Sequence, residues 1–317
     1  MTPVELSHPV YSNEETARKH LEAIRWPSGQ PICPHCGSID EARAVGGPSM
    51  GPGWYYCEAC QDKFTVRTGT VYERSHVPLH KWLLAFRLLC SSKKGMSSHQ
   101  LARTLDVTYK TAWFMSHRIR EAMAPGKNAG PLGGEGKIVE ADTTYVGGKE
   151  KNKHIGKRDP KKIGGAGKQI VHTLVERGGR ARSNHIPNVT GKTLRMVLTT
   201  QVNLKSSLMT DTHGGYLHIG KEFVRHEMVD HGADEYVRGD AHSNTVEGYF
   251  SVFKRGVIGT YHHVSEQHLK RYLAEFDFRY SERSALGIED AERTTRAIKG
   301  AEGKRLTYRQ PHGTAQA

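Results

Sequence analysis

The sequence predicts an α/β protein whose main domain follows a metal-binding segment and a helical segment. Two Cys-x-x-Cys pairs lie near the start, apolar residues recur with a helical period between residues 79 and 123, and strand-like runs alternate with helical patterns from residue 137 onward. We therefore expect a lead-in at 1–28, a metal-binding domain at 29–77, a helical domain at 78–126, an α/β domain at 127–285 and a mobile C-terminal tail at 286–317.

The chain is strongly basic. Its 46 Lys and Arg residues exceed its 33 Asp and Glu residues, so the formal net charge is +13. This balance favours a polyanionic partner such as DNA, although a protein can also carry such a charge for solubility alone. No apolar run reaches the roughly 18 residues that a membrane span needs, and the start lacks the features of a secretory signal. We expect a soluble, cytoplasmic protein with no membrane partner.

Four of the five cysteines form two pairs that predict a structural zinc site. Cys33 and Cys36 are followed, after a stretch rich in glycine and proline, by Cys57 and Cys60. Two such pairs supply four thiolates to one tetrahedral ion, and the ion contributes the folding free energy that this stretch cannot gain from a core. A redox role is the weaker interpretation, because a thioredoxin-like site uses one pair. Cys90 stands apart and is expected in the core.

The helical segment has the pattern of a helix-turn-helix domain. Leu79, Leu83, Phe86 and Leu89 mark the buried face of a first helix. Ser97 is expected to cap a second helix and Thr108 a third, whose buried stripe contains Ala112, Met115 and Ile119. The third helix would then present basic residues to DNA, namely Lys110, His117, Arg118 and Arg120. A plain helical bundle with solvated arginines is the alternative.

Three carboxylates in the α/β domain are the candidate metal ligands. Asp142 lies on a strand predicted over 138–146, and Asp211 ends a second strand before a Gly-Gly break. Glu247 lies on a helix whose apolar face is formed by Val246, Tyr249, Phe250 and Phe253. Carboxylates carried toward one end of a sheet suit Mg²⁺ or Mn²⁺.

Each candidate has an alternative. An Asp before Gly is commonly a turn residue, and a Glu on a helix is commonly solvated. Asp240 and Glu140 are rival ligands, and Glu140 shares a strand face with Asp142. Lys254 lies two helical turns after Glu247, so it could contact a phosphate beside the metal.

A basic stretch follows the first predicted catalytic strand. Residues 149–168 contain eight Lys or Arg against two acidic residues and almost no apolar residues. We expect a mobile loop that contacts DNA phosphates, and a solvated insertion without function is the alternative. The candidate contacts are Lys151, Lys157, Arg158, Lys161 and Lys162, together with Lys254 and Arg255 on the later helix.

The layout resembles the zinc-ribbon insertion-sequence transposases of the DDE superfamily. The tracts that carry the resemblance are VEADTTYVGGKE, TDTHGGY and GDAHSNTVEGYFSVFKRGVIGTYHHVSEQHLKRYLAEFDFRY, and the similarity covers roughly Pro31 to Arg283. The resemblance implies a ribonuclease-H-like catalytic domain. It maps the three family carboxylates onto Asp142, Asp211 and Glu247 and the following basic residue onto Lys254.

One departure from the family pattern and one variation among its members affect the assignments. The family often has Glu after its first Asp, and this chain has Thr143, to which we assign no catalytic role. Some relatives use Asn as the third ligand, and Asn244 lies near Glu247; we place Asn244 and His242 in supporting roles.

The resemblance implies a function. A DNA transposase would bind the terminal inverted repeats of its element, cleave DNA at the element ends and transfer the strands to target DNA, acting on DNA as at least a dimer. Two alternatives are a non-catalytic DNA-binding regulator and a metal-dependent nuclease of the same fold. Intact carboxylates weigh against the first, and two predicted DNA-reading segments weigh against the second.

Overall fold

The computed structural model describes residues 5–47, 50–126, 129–148, 152–160, 165–229 and 237–307. The chain divides into two compact units. The first contains Met1–Ser92, Met96–Ala124 and Ile288–Ala317, and the second contains Lys93–Gly95 and Pro125–Gly287. The predicted boundary between residues 126 and 127 lies next to this division. No helix in the described part of the chain is long and apolar enough to cross a membrane.

The first unit begins with a helix and a small sheet. Helix α1 (Glu14–Arg25) is capped by the Asn13 side chain. Strands β1 (Ala42–Val45), β2 (Trp54–Cys57) and β3 (Lys63–Thr65) form an antiparallel sheet in that order. Trp26, just after α1, packs edge-on against Tyr55 and Phe64 with ring centroids 5.2 and 6.2 Å away. The predicted lead-in therefore contributes a helix and an aromatic side chain to the core of the ribbon.

Three helices follow the ribbon, as the apolar period predicts. They are α2 (Leu79–Ser91), α3 (Ser98–Leu105) and α4 (Tyr109–Met123). Ser97 and Thr108 cap α3 and α4 by accepting hydrogen bonds from the backbone N–H groups of Gln100 and Thr111. The predicted buried residues of α2 and α4 are at most 2% exposed, and Cys90 is buried with them.

The second unit is built on a five-stranded sheet. Strands β4 (Ile138–Val146), β5 (Gln169–Glu176), β6 (Ala181–Ile186), β7 (Ser207–Asp211) and β8 (Arg225–Val229) have the order β6-β5-β4-β7-β8. Strand β5 is antiparallel to β4 and β6, whereas β7 is parallel to both β4 and β8. Strands β4, β5 and β6 form a meander, and a helix follows them.

Helices cover both faces of this sheet. Helix α5 (Gly191–Gln201) packs its Leu194, Val197 and Leu198 against Val139 and Ala141 of β4. Helices α6 (Asn244–Gly256) and α7 (Glu266–Ser281) cover the opposite face, where Val146, Val171 and Val175 lie. The apolar residues predicted for α6 are buried in this second cluster, together with Leu269, Leu273 and Phe276 of α7.

The predicted mobile tail is wrong for residues 286–307. Helix α8 (Asp290–Lys299) contacts α1, α2 and α4 in the first unit, with Ala297 and Ile298 buried. The Arg293 guanidinium donates to the Cys90 carbonyl, and Lys304 Nζ donates to the Ala122 carbonyl at 3.0 Å. Few apolar residues mark this segment, so its local pattern resembled a solvated tail. Residues 308–317 lie outside the described part.

Candidate active site

Two of the candidate ligands stand at the same level of the sheet. Ala141 pairs with Thr210 between the parallel strands β4 and β7, so Asp142 and Asp211 are the next residues on each strand. Neighbouring strands lie about 4.8 Å apart. Asp142 shares its face with Val146, and Asp211 shares its face with Met209, because side chains alternate along a strand. Both side chains are partly exposed and lie on the face that α6 covers.

Glu247 belongs to the first turn of α6 and is exposed. Its Oε1 accepts a hydrogen bond from Ser243 Oγ at 3.1 Å. The shared face of β4 and β7 and the first turn of α6 therefore bring the three carboxylates to one side of the sheet. Among the residues described, the sulfur atoms of the four cysteines lie within 4.8 Å of one another. The three carboxylates do not form such a group.

The two rival carboxylates are engaged elsewhere. Glu140 is fully buried and accepts hydrogen bonds from Arg177 and from the backbone N–H groups of Thr245 and Val246. Asp240 is exposed and forms a two-point pair with Arg225 at 2.6 and 2.7 Å. Hydrogen bonds from Arg225 hold the pKa of Asp240 below its usual value. Neither carboxylate is available as a ligand in this arrangement.

The predicted supporting and basic residues surround α6. His242 Nδ1 lies 3.2 Å from Glu140 Oε1, and Asn244 is exposed at the start of the helix. Lys254 and Arg255 are exposed in its last turn. Lys254 Nζ lies 5.9 Å from the Phe250 ring centroid, so its stem follows the helix surface toward solvent.

Sequence reasoning missed a buried polar layer behind Asp142. His172 on β5 is fully buried, and its Nδ1 lies 3.3 Å from Thr143 Oγ1 and 3.4 Å from the Tyr216 hydroxyl. Burial lowers the pKa of His172 to about 4, so the imidazole is neutral at neutral pH. Burial also raises the pKa of Tyr216, and the negative charges of Asp211 and Asp142 raise it further. The available sequence signal was the alternation of side chains along β5, which assigns His172 to one face of the strand.

The four cysteines fit a tetrahedral zinc ion. Cys33 Sγ lies 3.6 Å from Cys60 Sγ, and Cys36 Sγ lies 3.7 Å from Cys57 Sγ. Four sulfur ligands at about 2.3 Å from one Zn²⁺ stand about 3.8 Å apart. All four cysteines are free of disulfides. Hydrogen bonds from Ser38 lower the pKa of Cys36 to about 6, which favours the thiolate that zinc requires.

The structure contradicts three of the predicted DNA contacts on α4. His117, Arg118 and Arg120 are 1%, 8% and 1% exposed. Arg118 donates to backbone carbonyls of Val71 and Leu306, because the chain after α8 covers this side of the helix. Of the predicted contacts on α4, Lys110 in the first turn is exposed and stays a prediction.

The basic stretch is described only in part. Lys157 and Arg158 are exposed, as a phosphate contact requires. Arg158 Nε donates to the Lys153 carbonyl at 3.0 Å. Lys151, Lys161 and Lys162 lie outside the described residues. The role of this stretch in DNA binding stays a prediction.

Comparison with known proteins gives two family matches. Residues 131–281 match the ISXO2-like transposase domain, and residues 12–63 match the transposase zinc-ribbon domain. A protein from Halobacterium salinarum (strain ATCC 700922 / JCM 11081 / NRC-1), described as "Uncharacterized protein in transposable element ISH50", is 31% identical over 283 residues. The aligned residues cover 85% of this chain and 91% of that protein. The chain belongs to the ISXO2-like transposase family.

A solved structure is similar over part of this transposase. A chain of the cryo-EM structure of simian T-cell lymphotropic virus intasome in complex with PP2A regulatory subunit B56 gamma matches 56% of this chain and 63% of that chain. The two are 15% identical with a TM-score of 0.28, a value too low to inform the fold.

Family membership confirms the resemblance and the fold class inferred from the sequence. The transposase has a zinc ribbon with a four-cysteine structural zinc site, followed by a DDE transposase domain whose mixed α/β architecture is consistent with a ribonuclease-H-like fold. The helix-turn-helix assignment and the roles of individual carboxylates stay predictions.

Proposed function

We propose that this transposase binds the terminal inverted repeats of its insertion sequence and catalyses metal-dependent strand cleavage and strand transfer. The observation that carries the proposal is the placement of Asp142 and Asp211 at one level of adjacent parallel strands, on the face covered by the helix that bears Glu247. Parallel strands that deliver carboxylates to one edge, beside a third carboxylate on a helix, suit a site for divalent metal ions.

Asp142, Asp211 and Glu247 would hold Mg²⁺ or Mn²⁺. Their hard oxygen donors suit these ions, whereas the sulfur ligands of the cysteine site suit Zn²⁺. Divalent ions bound there would activate the attacking oxygen and stabilise the charge on the leaving oxygen. Lys254 and Arg255 are exposed on the same helix as Glu247 and would contact DNA phosphates.

The reaction has two displacements. In the first, a water oxygen attacks the phosphorus at the element end, the bond to O3′ breaks and a 3′-OH is released. In the second, that 3′-OH attacks a phosphorus of target DNA and the target O3′ leaves, which joins element to target. Both ends must be held together before joining, so we propose that at least two copies act on DNA.

Substitution of single carboxylates tests the proposal. Asp142→Asn, Asp211→Asn and Glu247→Gln keep side-chain size and remove the charged metal ligand. We expect each variant to lose strand cleavage of a duplex carrying the terminal repeat while it retains binding to the repeat in a mobility-shift assay. Full cleavage by any variant would remove that residue from the mechanism.

A further inference from the structure

Helix α6 begins without a side-chain cap of its own. Ser243 occupies the capping position but makes no capping hydrogen bond, and its hydroxyl donates to Glu247 Oε1. The backbone N–H groups of Thr245 and Val246 donate instead to Glu140 Oε2, at 2.8 and 2.9 Å. A carboxylate from strand β4 therefore satisfies the first turn of the helix, where the helix dipole favours a negative charge.

A single guanidinium fixes both the carboxylate and the chain that leads to α6. Arg177, which follows β5 directly, donates through Nε to Glu140 Oε1 at 2.5 Å. Its other nitrogens donate to the carbonyls of Asp240 and His242 at 2.7 and 2.9 Å. The Glu140 side chain is 0% exposed, and a buried charge persists only when it is paired and hydrogen-bonded.

Glu140 links the helix to the strand that carries Asp142. The two residues are neighbours on the same face of β4, so the position of α6 is set directly from that strand. We propose that Glu140 and Arg177 are positioning residues, a buried clamp that fixes the first turn of α6 and thereby Glu247 relative to Asp142 and Asp211. Glu140 accepts the hydrogen bonds of the first turn, and the Ser243 hydroxyl donates to Glu247 rather than capping the helix. The catalytic meaning of the clamp rests on the proposed function.

Glu140→Gln tests the clamp without changing the size of the side chain. Whichever way the amide is oriented, its NH₂ group faces N–H donors, those of the helix turn or that of Arg177, so hydrogen bonds to a charged acceptor are lost. We expect amide exchange at Thr245 and Val246 to rise roughly tenfold or more. Exchange in the sheet should stay unchanged. The matched control is Glu275→Gln, which alters another fully buried glutamate of this unit, paired with Arg279. It should leave the first turn of α6 protected.

Metal dependence provides the second measurement. For Glu140→Gln we expect weaker Mn²⁺ binding, followed by electron paramagnetic resonance, and a roughly tenfold higher Mg²⁺ concentration for half-maximal cleavage. Glu275→Gln should change neither. If Glu140→Gln does not fold, Arg177→Lys retains the positive charge, removes the forked contacts and takes its place in both measurements.

Three results would overturn the clamp: unchanged exchange in the first turn of α6, faster exchange spread through the whole unit, or unchanged Mn²⁺ binding. A wild-type chain whose Mn²⁺ binding is weakened by Glu140→Gln but that cleaves no terminal-repeat DNA would contradict the proposed function and leave the clamp standing.

Discussion

Substitution of Arg118 on α4 distinguishes a structural role of this residue from a role in DNA binding. The sequence pattern assigns it to DNA, whereas the structure buries its guanidinium among three backbone carbonyls, those of Val71, Glu73 and Leu306, at 2.9, 3.1 and 3.1 Å. Arg118→Met keeps an unbranched apolar chain that reaches about as far as Nε and removes the guanidinium donors. A buried acceptor left without its partner costs about 1–3 kcal/mol, so the three together destabilise the first unit by roughly 4 kcal/mol. Domains are stable by about 5–15 kcal/mol, so this loss is large.

Tryptophan fluorescence reports this loss directly, because all four tryptophans, Trp26, Trp54, Trp82 and Trp113, lie in the first unit. We expect a lower urea midpoint for Arg118→Met. Its affinity for terminal-repeat DNA, measured where the variant is folded, should stay within about threefold of wild type. The converse variant, Lys110→Gln, should weaken DNA binding and leave the midpoint unchanged. A wild-type midpoint with a tenfold or greater loss of affinity for Arg118→Met would refute the structural role.

Three further predictions concern zinc, pH and salt. Cys36→Ser should reduce bound zinc from one ion per chain to a fraction and unfold the ribbon, because structural zinc contributes about 10–16 kcal/mol to such a fold; a ribbon that keeps its near-ultraviolet circular dichroism without zinc would contradict this. His172 is held neutral by burial with a pKa of about 4, below its unfolded value of about 6.5, so its contribution is present above pH 6.5 and lost as pH falls toward 4. At pH 5 the α/β unit should lose about 2 kcal/mol, measured by hydrogen exchange, and His172→Asn should remove that part of the pH dependence. Replacing Lys157 and Arg158 by Gln should reduce the slope of log affinity against log salt by about 2, whereas Lys205→Gln, exposed before β7, should leave it unchanged; an unaltered slope in the double variant would remove this stretch from the DNA interface.

Local patterns in the sequence predicted much of the fold. Helical spacing identified the buried faces of α2, α4 and α6, because apolar residues on one face recur every three or four residues. Ser97 and Thr108 marked helix starts, because short polar side chains can accept hydrogen bonds from the first turn. The cysteine spacing predicted four sulfurs around one point, which the structure confirms.

Contacts between distant parts of the chain were not predictable in this way. Arg118 lies on a helix that, by its own pattern, has a solvated side, and the segment that covers it is 188 residues further along the chain. Glu140 shares a strand face with Asp142, so alternation alone made it a rival ligand. Only the tertiary fold brings α6 and Arg177 to it and gives it a different role. A local pattern reports which face of an element is apolar, not which element will cover it.

A strand-transfer assay with a pre-cleaved terminal repeat, target DNA and Mg²⁺ tests most directly whether the carboxylate site joins DNA strands. The wild-type chain should join the repeat to target DNA, and Asp211→Asn should bind the same DNA without joining it. Hydrolysis of target DNA without joining would identify a nuclease. Binding without any reaction in the wild-type chain would identify a regulator, and either result would contradict the proposed function.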